Sequence, residues 1–211
     1  MNHGVIGLFK FGKRIHVEEF CNLGRLYMNS LGYFKKLEAD GLRADRCEAT
    51  HLSFPSQKVE LSVEIDQEYQ PIPGIVGPLR FSRDRDLNAN VFCMYGLLRS
   101  QTQVLIDPRN FDFGDTFAVI TDGDEFLRRV REAKTPKDQQ VTFNLVDYVE
   151  PETHFGDMGI FKKFTHYRYQ SEFRIALLPG TGEQFSLEIG DLSDITVIGR
   201  LKDVNKRIRI K

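Results

Sequence analysis

The stretch YRYQSEFRIALL, Tyr167–Leu178, alternates in a way that decides how this chain is read. As a β-strand it sets Tyr167, Tyr169, Ser171, Phe173, Ile175 and Leu177 on one side. Arg168, Gln170, Glu172 and Arg174 then stand together on the other. Such a face is either a wetted sheet surface held by ion pairs or the wall of a site. On a strand, Gln170 and Glu172 would point into the same cleft about 7 Å apart. A carboxylate there would hold a sugar hydroxyl or a developing positive charge, while the amide orients an incoming nucleophile.

Working outward, most of the chain carries the same period of two. VIGLFKF reads as a strand with Phe9 and Phe11 on one face and Leu8 and Lys10 on the other. HVEEFCNLG follows at helical spacing, through Val17, Phe20 and Cys21, and Gly24 is its expected C-cap. RLYMNSL is strand-like again, and GYFKKLEADG predicts a short helix or turn. Strands are expected at KVELSVEI, PLRFS, NVFCMYGL, TFAVI, QVTFNLVDYVE, EQFSLEIG and DITVIGR. DQEYQPIPGIVG, with two prolines and two glycines, reads as a loop. DGDEFLRRVREAK is the clearest helix, with Phe126, Leu127 and Val130 inward and Asp122 and Asp124 near its start. The result is an α+β chain: one domain over residues 1–211, mixed or mostly antiparallel sheets, about three helices. The basic end, KRIRIK, predicts a solvated tail from about residue 202.

Composition narrows the function classes. A chain of 211 residues with 41% hydrophobic and 28% charged content is ordinary for a globular protein. The net charge of −1 gives no global pull toward nucleic acid. No apolar run approaches the ~20 residues that cross a bilayer, and the N-terminus lacks a signal-peptide core. A cytoplasmic protein with no membrane partner is expected. Cys21, Cys47 and Cys93 are odd in number and widely spaced, so buried reduced thiols are expected rather than disulfides. The five histidines lack ligand spacing, and no metal is expected. No Rossmann glycine pattern, phosphate loop or G-x-S-x-G elbow is present.

Smaller constellations remain. LRADRCEAT packs Arg43, Asp45, Arg46 and Glu48 into six positions, as a salt-bridged loop or as a phosphate- or carboxylate-recognising one. RLYMNS supplies Tyr27, Asn29 and Ser30 at a strand end, where turn chemistry is the simplest account. Cys93 sits between apolar neighbours, as in a buried strand.

Taken in order, GLFKF, NLGRLYMNS, ADRCE, NVFCMY, VDYVEPE and FKKFTHYRYQSEFRIAL resemble a family of uncharacterised small bacterial proteins. That family starts with a Lys-Tyr strand, carries an Asn-Asp-Pro-Phe-Glu loop and ends on an aromatic-Glu-x-Glu-aromatic-Arg strand. The order of elements also resembles the small ADP-ribosyltransferase fold. This second resemblance implies an NAD-dependent transferase, a toxin or phage-defence effector, with NAD as co-substrate and a nucleic-acid or protein acceptor. An antitoxin or immunity partner would follow. It implies that Glu172 holds the nicotinamide-ribose 2′-hydroxyl and that Gln170 positions the acceptor. Lys10 would bind ribose or phosphate, Tyr27, Asn29 and Ser30 would line the nicotinamide side, and Arg43 would reach a phosphate. Asp45, Glu48, Arg168 and Arg174 would contact substrate. Two departures stand out: Lys10 is neither His nor Arg, and Arg46 and Cys47 replace Pro and Phe in the loop.

Two other classes are open. One is a non-catalytic module that holds a nucleotide or partner on the same polar face. The other is a metal-dependent nuclease, although EFR has Arg174 where that pattern prefers Lys. As an exposed site residue, Glu172 changed to Gln is expected to alter stability by less than about 1 kcal/mol.

Overall fold

Alternating apolar segments need partners on both edges, and here they find them mainly as antiparallel ladders. The computed structural model describes residues 4–37, 47–74, 76–100 and 106–208. The first half forms β1 (Val5–Gly12), α1 (Arg14–Leu23), β2 (Arg25–Ser30), α2 (Leu31–Lys36), β3 (Thr50–Phe54), β4 (Leu61–Ile65), β5 (Glu68–Ile72), β6 (Leu79–Ser82), α3 (Asp84–Asn88) and β7 (Asn90–Leu98). The second half forms β8 (Thr116–Ile120), α4 (Gly123–Glu132), β9 (Gln140–Leu145), β10 (Asp147–Val149), β11 (Gly156–Asp157), β12 (Lys162–Phe164), β13 (Glu172–Leu178), β14 (Phe185–Glu188), β15 (Thr196–Arg200) and α5 (Val204–Arg207).

Eight strands make one antiparallel sheet in which β7 is the axis. On one side β13 pairs with β7 and with β9. On the other side β1 and β2 share the edge of β7 in succession. β1 follows β7 as far as Phe9 opposite Tyr95 and then continues beside β8, which pairs with β15. β2 joins β7 at Asn29 opposite Val91 and carries β14 on its outer edge. Between those two registers the sheet forks along the middle of β7.

Register also decides which residues share a face. Phe9 and Glu172 both lie opposite Tyr95, and Arg174 lies opposite Cys93. Alternation therefore puts Phe9, Phe11, Asn29, Cys93, Glu172 and Arg174 on one face, with Lys10, Phe92, Met94 and Phe173 on the other. The second face is covered by α1 and α4 through Val17, Phe20, Cys21, Phe126 and Val130, which make the main core with Leu26, Met28, Ile175 and Leu177. Each such fully buried side chain contributes about 1.5–3 kcal/mol relative to exposure. Gly24 ends α1 as the sequence predicts, with φ 58°. A Cβ there would lie 1.7 Å from the Gly190 carbonyl oxygen, so the residue is needed for close approach as well as for its dihedral. Asp122 caps α4, accepting from Glu125 N at 2.9 Å.

The first face carries two separate clusters. Phe9, Tyr95, Leu97, Ile106, Phe117, Leu201 and Val204 form one. Leu31, Ala49, Ala89, Val91, Ile160 and Ala176 form the other.

Three sequence expectations are corrected. DQEYQPIPGIVG contains a strand, β5, because a hairpin turn at Asp66 and Gln67 with positive φ pairs it to β4 without any glycine signal. The basic tail from about residue 202 is not a tail as far as Ile208. Leu201 and Val204 are buried, and only Lys206 and Arg207 of the KRIRIK run lie in α5. β3 and β12 arise from segments where no strand was expected, and the expected strand QVTFNLVDYVE divides into β9 and β10, of which β10 pairs with β12 in parallel. No helix among the described residues is long and apolar enough to cross a membrane.

Candidate functional site

Tyr167–Leu178 is not one strand. Thr165–Gln170 winds into a 3-10 helix, and Ser171 then takes the left-handed conformation at φ 39°. That conformation is uncommon for a residue with a Cβ, and two bonds hold it. Gly96 N donates to Ser171 O at 2.7 Å, and Ser171 Oγ donates to Gly96 O at 2.6 Å. Only after this turn does β13 begin, at Glu172. Arg168 and Gln170 therefore do not share a strand face with Glu172 and Arg174. Arg168 is exposed, and its guanidinium lies at a long 3.5 Å from Tyr148 O.

Glu172 and Arg174 do share a face, two residues apart, and point inward. They meet Glu48 from the turn before β3 and Lys163 from β12. Arg174 Nε donates to Glu172 Oε1 at 2.7 Å, and Lys163 Nζ approaches Glu172 Oε2 at 2.9 Å. Glu48 closes the arrangement. Its Oε1 accepts from an Arg174 terminal nitrogen at 3.0 Å, and its Oε2 lies 3.3 Å from Lys163 Nζ. Acid and base alternate around a closed, neutral ring of four. Glu48, Lys163, Glu172 and Arg174 are each at most 8% exposed. Arg174 also donates to Ile160 O, and Gln170 Oε1 accepts from Lys163 Nζ at 3.1 Å. The parallel ladder aligns Tyr148 with Lys163, and the Tyr148 hydroxyl accepts from Glu172 N at 2.9 Å.

Burial by itself would push the Glu172 carboxyl up, but Arg174 and then Lys163 hold it well below the usual carboxylate range. It stays an anion throughout the neutral range and is a poor proton carrier there. Its chemical use is as a fixed negative charge. The Tyr148 phenol is pushed up by burial first and by the Glu172 charge second. Burial, followed by the same carboxylate, pushes the Cys93 thiol up to about 12. A thiol so shifted carries almost no thiolate at neutral pH and is not a nucleophile.

The other predicted residues divide. Lys10 stands on the opposite face from Glu172. Its Nζ donates to Cys93 O at 3.0 Å and sits 4.1 Å from the Phe92 ring centroid, so it supplies a donor to the forked stretch of β7. Ser30 is buried, and its Oγ accepts from Tyr33 N as the cap of α2. That is the turn chemistry the sequence suggested. Tyr27 is exposed and donates from its hydroxyl to Gln184. Asn29 is half-buried on the face of Glu172. Arg43 and Asp45 lie outside the described residues.

Three contributors were missed. Lys163 lies in FKKF, where a second lysine beside aromatics was a visible but undirected signal. Tyr148 lies in the expected strand QVTFNLVDYVE, but its segment breaks off as β10 and pairs elsewhere, which the alternation does not show. Phe11 was placed correctly as a face residue but not as part of a site. Phe11, Asn29 and Cys93 all keep partial exposure on one face, and the Phe11 ring centroid is 5.5 Å from that of Tyr95. Among the described residues, no group of three or more His, Cys, Asp or Glu side chains is arranged to hold a metal ion. No protein-family model matches the chain, no curated protein matches it significantly, and no solved structure resembles it significantly.

Proposed function

We propose that this chain binds a nucleotide along the fork of its sheet, over Phe11, Asn29 and Cys93. The Glu48–Lys163–Glu172–Arg174 ring then serves as the rigid wall of the site, with Gln170 beside it. One observation carries this reading: on a single sheet face, Phe11 at the margin of one buried cluster, Cys93 at the margin of the other, and Asn29 all keep partial exposure. An aromatic ring already backed by Tyr95 suits a planar base, and the Asn29 amide suits the polar edge of that base. A carboxylate clamped by two cations supports a positioning role for Glu172 better than a proton-transfer role.

A transferase reading of the same site has its own support. Glu172 is held anionic on the sheet face that carries Asn29 and Tyr27. NAD would then be co-substrate. As the bond from ribose C1′ to nicotinamide breaks, its electron pair leaves with the nicotinamide nitrogen. The fixed Glu172 charge stabilises the positive charge growing on the ribose, and a hydroxyl or amine of a nucleic-acid or protein acceptor bonds to C1′ as its proton passes to solvent. Such an enzyme would be a toxin or defence effector with an antitoxin or immunity partner.

Calorimetric titration with NAD and ADP-ribose, followed by chromatography for free nicotinamide, separates these readings. Binding is expected, weakened at least tenfold in Asn29→Ala with an unchanged Tm. Binding without nicotinamide release leaves the module and removes the transferase. No binding of either nucleotide overturns both.

A further inference from the structure

A cavity of about 500 Å³ opens on the first sheet face, toward the end where β1 begins. Its floor crosses four strands. Gly7 lies opposite Leu97, Phe9 opposite Val119, and Val119 opposite Val197. Strands β7, β1, β8 and β15 therefore each present a small or apolar residue to the same side. Ile208, which follows α5, packs on the same cluster and makes a wall. Phe9 and Leu97 are buried, but Val197 is 54% exposed, so the groove is open along β15. Three strand spacings of about 4.8 Å make the groove about 14 Å long. That is the reach of an extended alkyl chain of roughly ten to twelve carbons, at about 1.25 Å per carbon.

Charge selects the occupant. Arg99, one residue past the end of β7, and Arg207, in α5, both line the cavity, and among the described residues no Asp or Glu joins them. Arg99 continues the alternation of Tyr95 and Leu97 and so stands at the β7 end of the groove. Both arginines are exposed, and neither forms an ion pair or a side-chain hydrogen bond with a described residue. An apolar trough would take any hydrocarbon, but two guanidinium groups without a counter-charge favour one that ends in an anion. We propose that this groove binds a medium-chain fatty acid, with the alkyl chain laid across β1, β8 and β15 and the carboxylate on the Arg99 guanidinium. A guanidinium matches a carboxylate through two parallel N–H donors. Arg207 adds a second positive charge to the lining. None of Phe11, Asn29 and Cys93 lines this cavity, so it is a second site that does not depend on nucleotide binding.

The test is calorimetric titration of the full chain with octanoate, decanoate and 1-decanol, each kept below its micelle or solubility limit. Decanoate is expected to bind at one site per chain. It should bind about tenfold more tightly than octanoate, since each added methylene tightens binding about three- to fourfold. 1-Decanol, with the same chain and no charge, should bind about tenfold more weakly than decanoate. Arg99→Gln should weaken decanoate about fivefold or more and leave 1-decanol unchanged, whereas Val197→Glu should abolish decanoate binding. Both residues are exposed, so both variants should keep the wild-type Tm. No binding of decanoate, an alcohol that binds as tightly as the acid, or decanoate affinity unchanged in either variant overturns the proposal.

Discussion

Replacing Glu172 by Gln keeps the shape of the side chain and removes one charge from the buried ring. Both carboxylate oxygens are committed, one to Arg174 at 2.7 Å and the other to Lys163 at 2.9 Å. An amide can offer an oxygen to only one of them and turns its NH2 toward the other cation. The ring then holds two cations and a single acid, Glu48, in a site at most 8% exposed. Removing one partner of a buried ion pair costs about 3–5 kcal/mol. Glu48 still faces both cations, which favours the lower end, about 3 kcal/mol. In a chain of this length that is roughly 6–12 °C in Tm. The expectation of less than about 1 kcal/mol, drawn from an exposed Glu172, does not survive its burial. Urea unfolding is the assay, because urea does not screen charge. Circular dichroism and tyrosine fluorescence are the probes, since the chain has no tryptophan. Adding Lys163→Met to Glu172→Gln restores a neutral Glu48–Arg174 pair, so the double variant should be more stable than the two single costs predict, by at least about 1 kcal/mol. A Glu172→Gln variant within 1 kcal/mol of wild type, or strict additivity, would refute the account of the ring as one coupled unit.

The same ring predicts an acid-sensitive limb. Glu172 titrates in the folded state below its ordinary value of 4.5, so its contribution is present above that pH and is lost as pH falls toward the folded value. The stability difference between wild type and Glu172→Gln should therefore shrink steadily below pH 4.5, and a difference that stays constant down to about pH 2.5 would contradict this. Cys93 supplies an independent check. A thiol moved from 9.0 to about 12 carries about 1,000-fold less thiolate at pH 8. Iodoacetamide mapped by mass spectrometry should label Cys93 far more slowly in the native protein than in urea; labelling at the unfolded rate in the native protein would count against a thiol held protonated.

Much of this protein was legible as pattern. The period of two marked β1, β2, β7, β8, β14 and β15, and the spacing of Val17, Phe20 and Cys21 with Gly24 marked α1, because one-sided burial imposes those periods. The α+β class followed, as did a shared face for Glu172 and Arg174, since residues two apart on a strand cannot do otherwise. Side-chain order alone could not reveal where that strand begins. Ser171 departs from the strand because Gly96 on β7 offers it two hydrogen bonds, and Gly96 is 75 positions away. Nor could it say which face a site would use. Lys10 was expected beside Glu172 and lies behind the sheet, because the register of β1 on β7 puts Phe9, not Lys10, on the face of Glu172. The ring itself is a tertiary object. Glu48 stands 126 positions from Arg174, and each charge is tolerable in the interior only because the fold delivers the other three.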